Sequence, residues 1–303
     1  VEGWVAMKRL FQIISALILS IFLFSGCGLE QESFVYQGIV FEGYDPAKHE
    51  PSAEFGKHIE PTKVLLTRRQ IEALKKCVDL LMERDLLSLF NYAKRFVIVK
   101  APYSFADKPQ MVVYLDQEKL TLNFTIGDDW ENKLLNSNLG LMETSSQFYF
   151  KGTPELPNLL RIILHEIGHL VEYDKLKFNW KGKFVPHPLN KEFVSISWDR
   201  DRYWRDKEGF SYKLQNIQSL EGLLLFLQWF KAESSFFSLS SGMGMNEDFA
   251  EAFVYYILQE YFAYEISFVL KGKVQLNNLQ ALNPSRGQKL KFIADLMQKE
   301  PIM

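Results

Sequence analysis

Between Pro157 and Tyr173 the chain reads PNLLRIILHEIGHLVEY, a helical stretch with apolar residues on nearly every side. A helix of that kind cannot lie on a surface; it runs through an interior with other elements packed around it. Pro157 suits its first turn, where a missing N–H costs nothing. The same stretch nevertheless carries His165, Glu166 and His169. Two imidazoles and a carboxylate in an apolar interior are costly unless they pair with one another or hold an ion.

Around this helix the pattern is that of an α+β chain, strands first and helices later. Thr67 caps a helical run predicted to reach about Phe90. Strand-like runs follow at Phe96–Val99, Met111–Leu115 and Leu120–Ile126, the last in strict apolar–polar alternation. Phe148–Phe150 reads as a further short strand. Ser219 opens a helix to about Lys231, Asn246 caps a long one through about Ile266, and Asn283-Pro284 starts another to about Gln298. Residues 174–210 read as a polar, aromatic excursion, with Asp199-Arg200-Asp201-Arg202 and Arg205-Asp206 as a solvated, self-paired loop. Hydrophobic residues make up 47% of the 303 and charged residues 24%, which excludes disorder, collagen and coiled-coil arrays. A net charge of −2 provides no footprint for nucleic acid.

The N-terminal part is an address. Lys8 and Arg9 precede an apolar run of 15 residues, Leu10–Phe24, too short to span a bilayer core needing about 20. Ser25-Gly26-Cys27 closes it and resembles the lipobox of bacterial lipoproteins, which implies lipid attachment at Cys27. Residues 1–27 are therefore expected to be a lipoprotein signal peptide, 28–60 a tether with short extended pieces, and 61–303 the folded domain. The expected location is the cell envelope, outside the cytoplasmic membrane; Gly28, rather than Asp, after Cys27 favours an outer membrane where there are two. With Cys27 lipidated, Cys77 has no partner in the chain, and its apolar neighbours make it a small buried hydrophobe.

His165-Glu166-Ile167-Gly168-His169 is an H-E-x-x-H. Histidines four apart on a helix diverge by only about 40°, so both imidazoles reach one ion. Zinc takes such nitrogens at about 2.0–2.1 Å and lowers the pKa of a bound water to about 7. Glu166, on the flank of that face, is placed to act as general base. Gly168 keeps the helix slim where another element approaches. A catalytic zinc needs a third protein ligand. The long metzincin motif fails here, because Glu172 stands at its glycine position and Lys175 at its third histidine. Asn246-Glu247-Asp248-Phe249-Ala250-Glu251 offers a carboxylate instead, with Glu247 placed 78 residues after His169. Glu247 and Glu251 share a helix face; one would bind zinc while the other fixes an imidazole.

H-E-I-G-H followed at this distance by E-D-F-A-E-A-F resembles the gluzincin group of zinc metallopeptidases. The likeness is greatest to its lethal-factor-like branch and to zinc-binding metallopeptidase lipoproteins of bacteria, and covers about residues 155–175 and 236–256. It implies a zincin-like fold with a small mixed sheet, a metal-binding helix and a helical C-terminal subdomain. It also implies His165, His169 and Glu247 as zinc ligands, Glu166 as base and Glu251 as the acid behind a ligand imidazole. An edge strand above the metal helix, Leu120–Ile126 or Met111–Leu115, would bind a peptide or protein substrate. Glu247 is preferred over Glu251 because it begins its helix beside a glycine-containing loop, and Asp248 points about 100° away. Ser240 stands where related sequences carry an oxyanion-stabilising tyrosine; Tyr203, Tyr212, Tyr255 and Tyr256 are candidate substitutes. The expected function is a membrane-tethered zinc metallopeptidase. A zincin-fold binding lipoprotein without turnover and a zinc amidase acting on cell-wall material are the rivals. Gly242-Met243-Gly244-Met245 reads as a flexible approach to the ligand helix, and the aromatics from Phe253 to Tyr264 as core.

Overall fold

The computed structural model describes residues 30–122, 148–176, 191–199, 205–217, 219–270 and 273–298. The signal segment with Cys27 lies outside these residues, and no helix among them is long and apolar enough to cross a membrane.

The segment expected to be a tether is part of the fold. Strands β1 (Ser33–Tyr36) and β2 (Ile39–Gly43) form a hairpin about Gln37-Gly38, both at positive φ. Such a two-residue turn matches the twist of the strands it joins. β2 then pairs in parallel with β3 (Arg95–Val99), so Phe41 lies beside Phe96 in the core. The proline and glycine density of the segment hides strands only four and five residues long.

After the short helix α1 (Ala53–Gly56) comes α2 (Arg68–Met82), started by a reciprocal Thr67–Gln70 capping box. Its apolar stripe is buried, and Cys77 within it is free and fully buried, its thiol pKa pushed up by desolvation. The helix stops eight residues short of Phe90. Asp85 takes a left-handed φ of 57°, and a 3-10 turn, Leu87–Tyr92, leads into β3.

Strands β4 (Phe105–Asp107) and β5 (Val112–Asp116) complete a mixed sheet in the order β1-β2-β3-β5-β4. β3 and β5 run parallel, and β4 returns antiparallel along the edge. β5 is therefore interior, not the edge strand expected of Met111–Leu115. All five of its residues are buried, as a strand covered on both faces requires. Residues 120–122 form no strand, and the rest of Leu120–Ile126 lies outside the described residues. The edge belongs to Phe105–Asp107.

Beyond it, β6 (Phe148–Thr153) contains the predicted Phe148–Phe150 strand, and α3 (Asn158–Leu176) is the buried helix foreseen from its composition. The excursion 174–210 holds more structure than its polarity suggests: α4 (Lys191–Ser197), then the ribbon β7 (Trp198–Asp199) and β8 (Arg205–Asp206). Helix α5 (Phe210–Gln215) precedes α6 (Leu220–Ala232), capped by Ser219 as predicted. A 3-10 turn, Ser240–Met243, introduces α7 (Met245–Phe262), whose N-cap is Gly244. Ala263, at φ 50°, ends α7, and Ile266 belongs to the next strand rather than to the helix. That strand, β9 (Glu265–Leu270), joins β6 and β10 (Lys273–Leu276) in a second, antiparallel sheet. Helix α8 (Pro284–Gln298) closes the chain, with Asn283 accepting from the Arg286 N–H at its start. The fold is α+β, with a mixed sheet ahead of a largely helical half.

Helix α3 packs on β4 and β5 on one side and on α7 on the other. The contact with α7 is tight at Gly168, where an added Cβ would stand 3.1 Å from Ala250 Cα and 3.2 Å from Phe253 Cδ1. Both sides of that contact are fully buried, so the helices cannot part locally without opening the core. Gly168→Val is expected to lower stability by about 1–3 kcal/mol, measured by urea unfolding against the parent chain. An unchanged midpoint would mean that the two helices are free to separate.

Candidate metal centre

His165 and His169 stand one turn apart on α3, their ring centroids separated by 4.8 Å and their planes at 89°. Glu247, in the first turn of α7, sets one carboxylate oxygen against each ring: Oε2 is 3.2 Å from His165 Nε2, and Oε1 is 3.5 Å from His169 Nε2. One donor atom from each of the three residues lies within 4.8 Å of the others, the arrangement of a group able to hold a metal ion. Two donors each about 2.0–2.2 Å from a tetrahedral zinc stand roughly 3.4 Å apart. The two histidine–carboxylate separations, one to each Glu247 oxygen, are close to that length, within a group whose single donor atoms lie within 4.8 Å of one another. The Glu247 side chain is 38% exposed and the two imidazoles 17% and 10%, so the group opens to solvent on the Glu247 side.

Behind the imidazoles, His165 Nδ1 donates to Glu251 Oε1 at 2.7 Å, and Arg161 Nη2 donates to Glu251 Oε2 at 3.1 Å. The Ser238 hydroxyl also bonds Glu251 and is itself 3.1 Å from the hydroxyl of Ser241. Burial opposes charge on Glu251, but Arg161 and His165 outweigh it and hold the carboxyl at about 2. Burial likewise disfavours a proton on His165, yet its bonds to Glu247 and Glu251 carry its pKa well above the ordinary value. His169 lacks that support; burial lowers it to about 3, which leaves a neutral ring at neutral pH. Glu166 is 5% exposed, and burial raises its pKa to about 7. Its Oε2 has no hydrogen-bond partner among the described residues. A carboxyl poised near neutrality can both take and return a proton.

The chain matches no protein-family model, no curated protein and no solved structure. The site is therefore read from its own chemistry.

Asp248 faces away from the histidines. Lys289 Nζ, on α8, lies 2.6 and 2.7 Å from its two oxygens, and Trp198 Nε1 donates to it at 3.0 Å. Neither ionic side chain is exposed at all. The other expected neighbours are dispersed. Ser240 opens the 3-10 turn ahead of α7. Tyr255 is fully buried, stacked on Phe237 at 5.6 Å; Tyr256 packs on Tyr261; Tyr212 is 72% exposed on α5; Tyr203 lies outside the described residues. Of the two glycines before α7, Gly242 is packed, with an added Cβ within 2.2 Å of the Phe210 ring, whereas Gly244 has open space around it. Sequence reasoning missed Arg161, Lys289, Trp198 and Lys108. Lys108, in the turn after β4, reaches the buried Glu172 of α3 at 3.5 Å. Only Arg161 left a usable signal, its four-residue spacing from His165.

Removing one partner from a buried ion pair leaves the other charge uncompensated, at a cost of about 3–5 kcal/mol. Asp248→Ala is expected to lose that much stability in denaturant unfolding, while Asp248→Ala combined with Lys289→Met recovers most of it. Equal losses in the single and double variants would remove the ion pair from this account.

Proposed function

We propose that this chain is a zincin-like zinc metallopeptidase of the gluzincin type, held at a membrane outside the cytoplasm by lipid on Cys27. The observation that carries the reading is Glu247, a carboxylate from a second helix with one oxygen 3.2 Å and the other 3.5 Å from the two Nε2 atoms of an H-E-x-x-H. His165, His169 and Glu247 would hold the ion. Zinc, when bound, supplies a Lewis acid that polarises a carbonyl and makes a water nucleophilic near pH 7.

The chain's own residues account for the rest. Glu166, with one buried oxygen unpartnered and a pKa near 7, takes a proton from the attacking water and returns it to the departing amine. Glu251 accepts the Nδ1–H of His165 and so fixes which nitrogen faces the ion. β4 is the edge strand beside α3, and all three of its residues are buried. A second reading, zinc binding without turnover, draws on Ser240 at the place of the tyrosine and on Tyr255 being locked in the core.

The full chain, purified in detergent and reconstituted, is expected to hold one zinc by elemental analysis, and Glu247→Ala to hold none. Glu166→Gln should keep the metal and lose about 10²–10⁴ in the rate of peptide-library cleavage. Absence of zinc from the parent chain would sink the peptidase reading; zinc without cleavage in parent and variant alike would favour the second. At the other end of the chain, Cys27→Ser should abolish lipid labelling in cells, and a labelled variant would contradict the anchor.

A further inference from the structure

The Glu251 carboxylate, 3% exposed, divides its two oxygens between two residues of the facing helix. Oε1 meets His165 Nδ1 at 2.7 Å and Oε2 meets Arg161 Nη2 at 3.1 Å. Arg161 lies four residues before His165, so both rise from the same face of α3. Arg161 is itself only 9% exposed, and its guanidinium sits 5.9 Å over the ring of Tyr255, which Phe237 backs from the next layer. The guanidinium is therefore held in place by packing, and not only by its charge.

A carboxylate this deep is unstable as an ion without a cation beside it. A guanidinium presents a planar fork to a carboxylate. By holding Oε2 it leaves Oε1 to His165.

We propose that Arg161 is a positioning residue of the metal centre. By pairing with Glu251 Oε2 it holds that carboxylate aimed, so that Oε1 accepts the Nδ1–H of His165 and Nε2 stays turned toward the ion. This rests on the zinc reading given above and adds to it a third layer, helix α3 supporting its own ligand through a carboxylate borrowed from α7.

The test is zinc affinity of the full chain in detergent, measured by competition with a chromogenic chelator, in parent, Arg161→Met, Arg161→Lys, Glu251→Gln and the Arg161→Met/Glu251→Gln double variant. Arg161→Met is expected to weaken zinc binding by about 10–100-fold, as loss of a support behind a ligand does. Arg161→Lys should recover most of that loss. In the Glu251→Gln background the Arg161→Met change should add less than about twofold, because its effect passes through Glu251. Cobalt-substituted protein should show an altered visible spectrum in Arg161→Met and the parental one in Arg161→Lys. Should Arg161→Met not fold, Arg161→Gln, which keeps a donor but no charge, takes its place, with the melting point of chelated protein recording any purely structural effect. Parental affinity in the uncharged variant would overturn the proposal, as would losses that multiply in the double variant. A parent chain that binds no zinc would instead overturn the metal reading on which the proposal stands.

Discussion

Helices α3 and α7 touch where Gly168 meets Ala250, and the candidate centre depends on how closely they lie there. The two histidines come from one helix and the carboxylates from the other, so their spacing is an interhelical spacing. A Cβ at Gly168 would meet the backbone of Ala250, which cannot rotate away as a side chain could. Glycine inside a helix costs about 1 kcal/mol relative to alanine. Here that cost accompanies an approach that brings Glu247 within 3.5 Å of both imidazoles and Glu251 against Nδ1 of the first.

Closeness alone would leave α7 free to turn about its axis. Its rotation is fixed from the far side. Asp248, about 100° around from Glu247, is held by Lys289 and Trp198 in a pocket without solvent. Arg286, one turn before Lys289 on α8, donates to the carbonyls of Phe230, Phe236, Leu279 and Ala281, with burial lowering its pKa to about 10. α8 thus ties down the end of α6, the loop before α7 and the segment after β10, with a second cation left for Asp248. A buried pair of this kind adds little net stability; its effect is to make one orientation of the helix far better than its neighbours.

Much of this was legible in the residues. An all-round apolar helix had to be interior, Gly168 had to mark a close approach, and the four-residue spacings put His165 with His169 and Glu247 with Glu251. The 100° offset correctly turned Asp248 away from the histidines. What could not be read was its destination, because Lys289 and Trp198 lie far off in sequence and carry no spacing relative to it. The strands were read unevenly for a related reason. Phe148–Phe150 announces itself by its aromatics, whereas β1, β2 and β4 are three to five residues long and draw their order from neighbours in the sheet. Leu120–Ile126 is described only through residue 122, where no strand has formed, and its remainder lies outside the described residues.

The order of the main sheet has a bearing on reach. β1, the first described strand, forms one edge, and β4, which lies against α3, forms the other. Four strand spacings separate them, roughly 19 Å. Under the proposal that lipid on Cys27 anchors the chain, the tether would enter the described fold at the sheet margin opposite the one that lies against the metal helix.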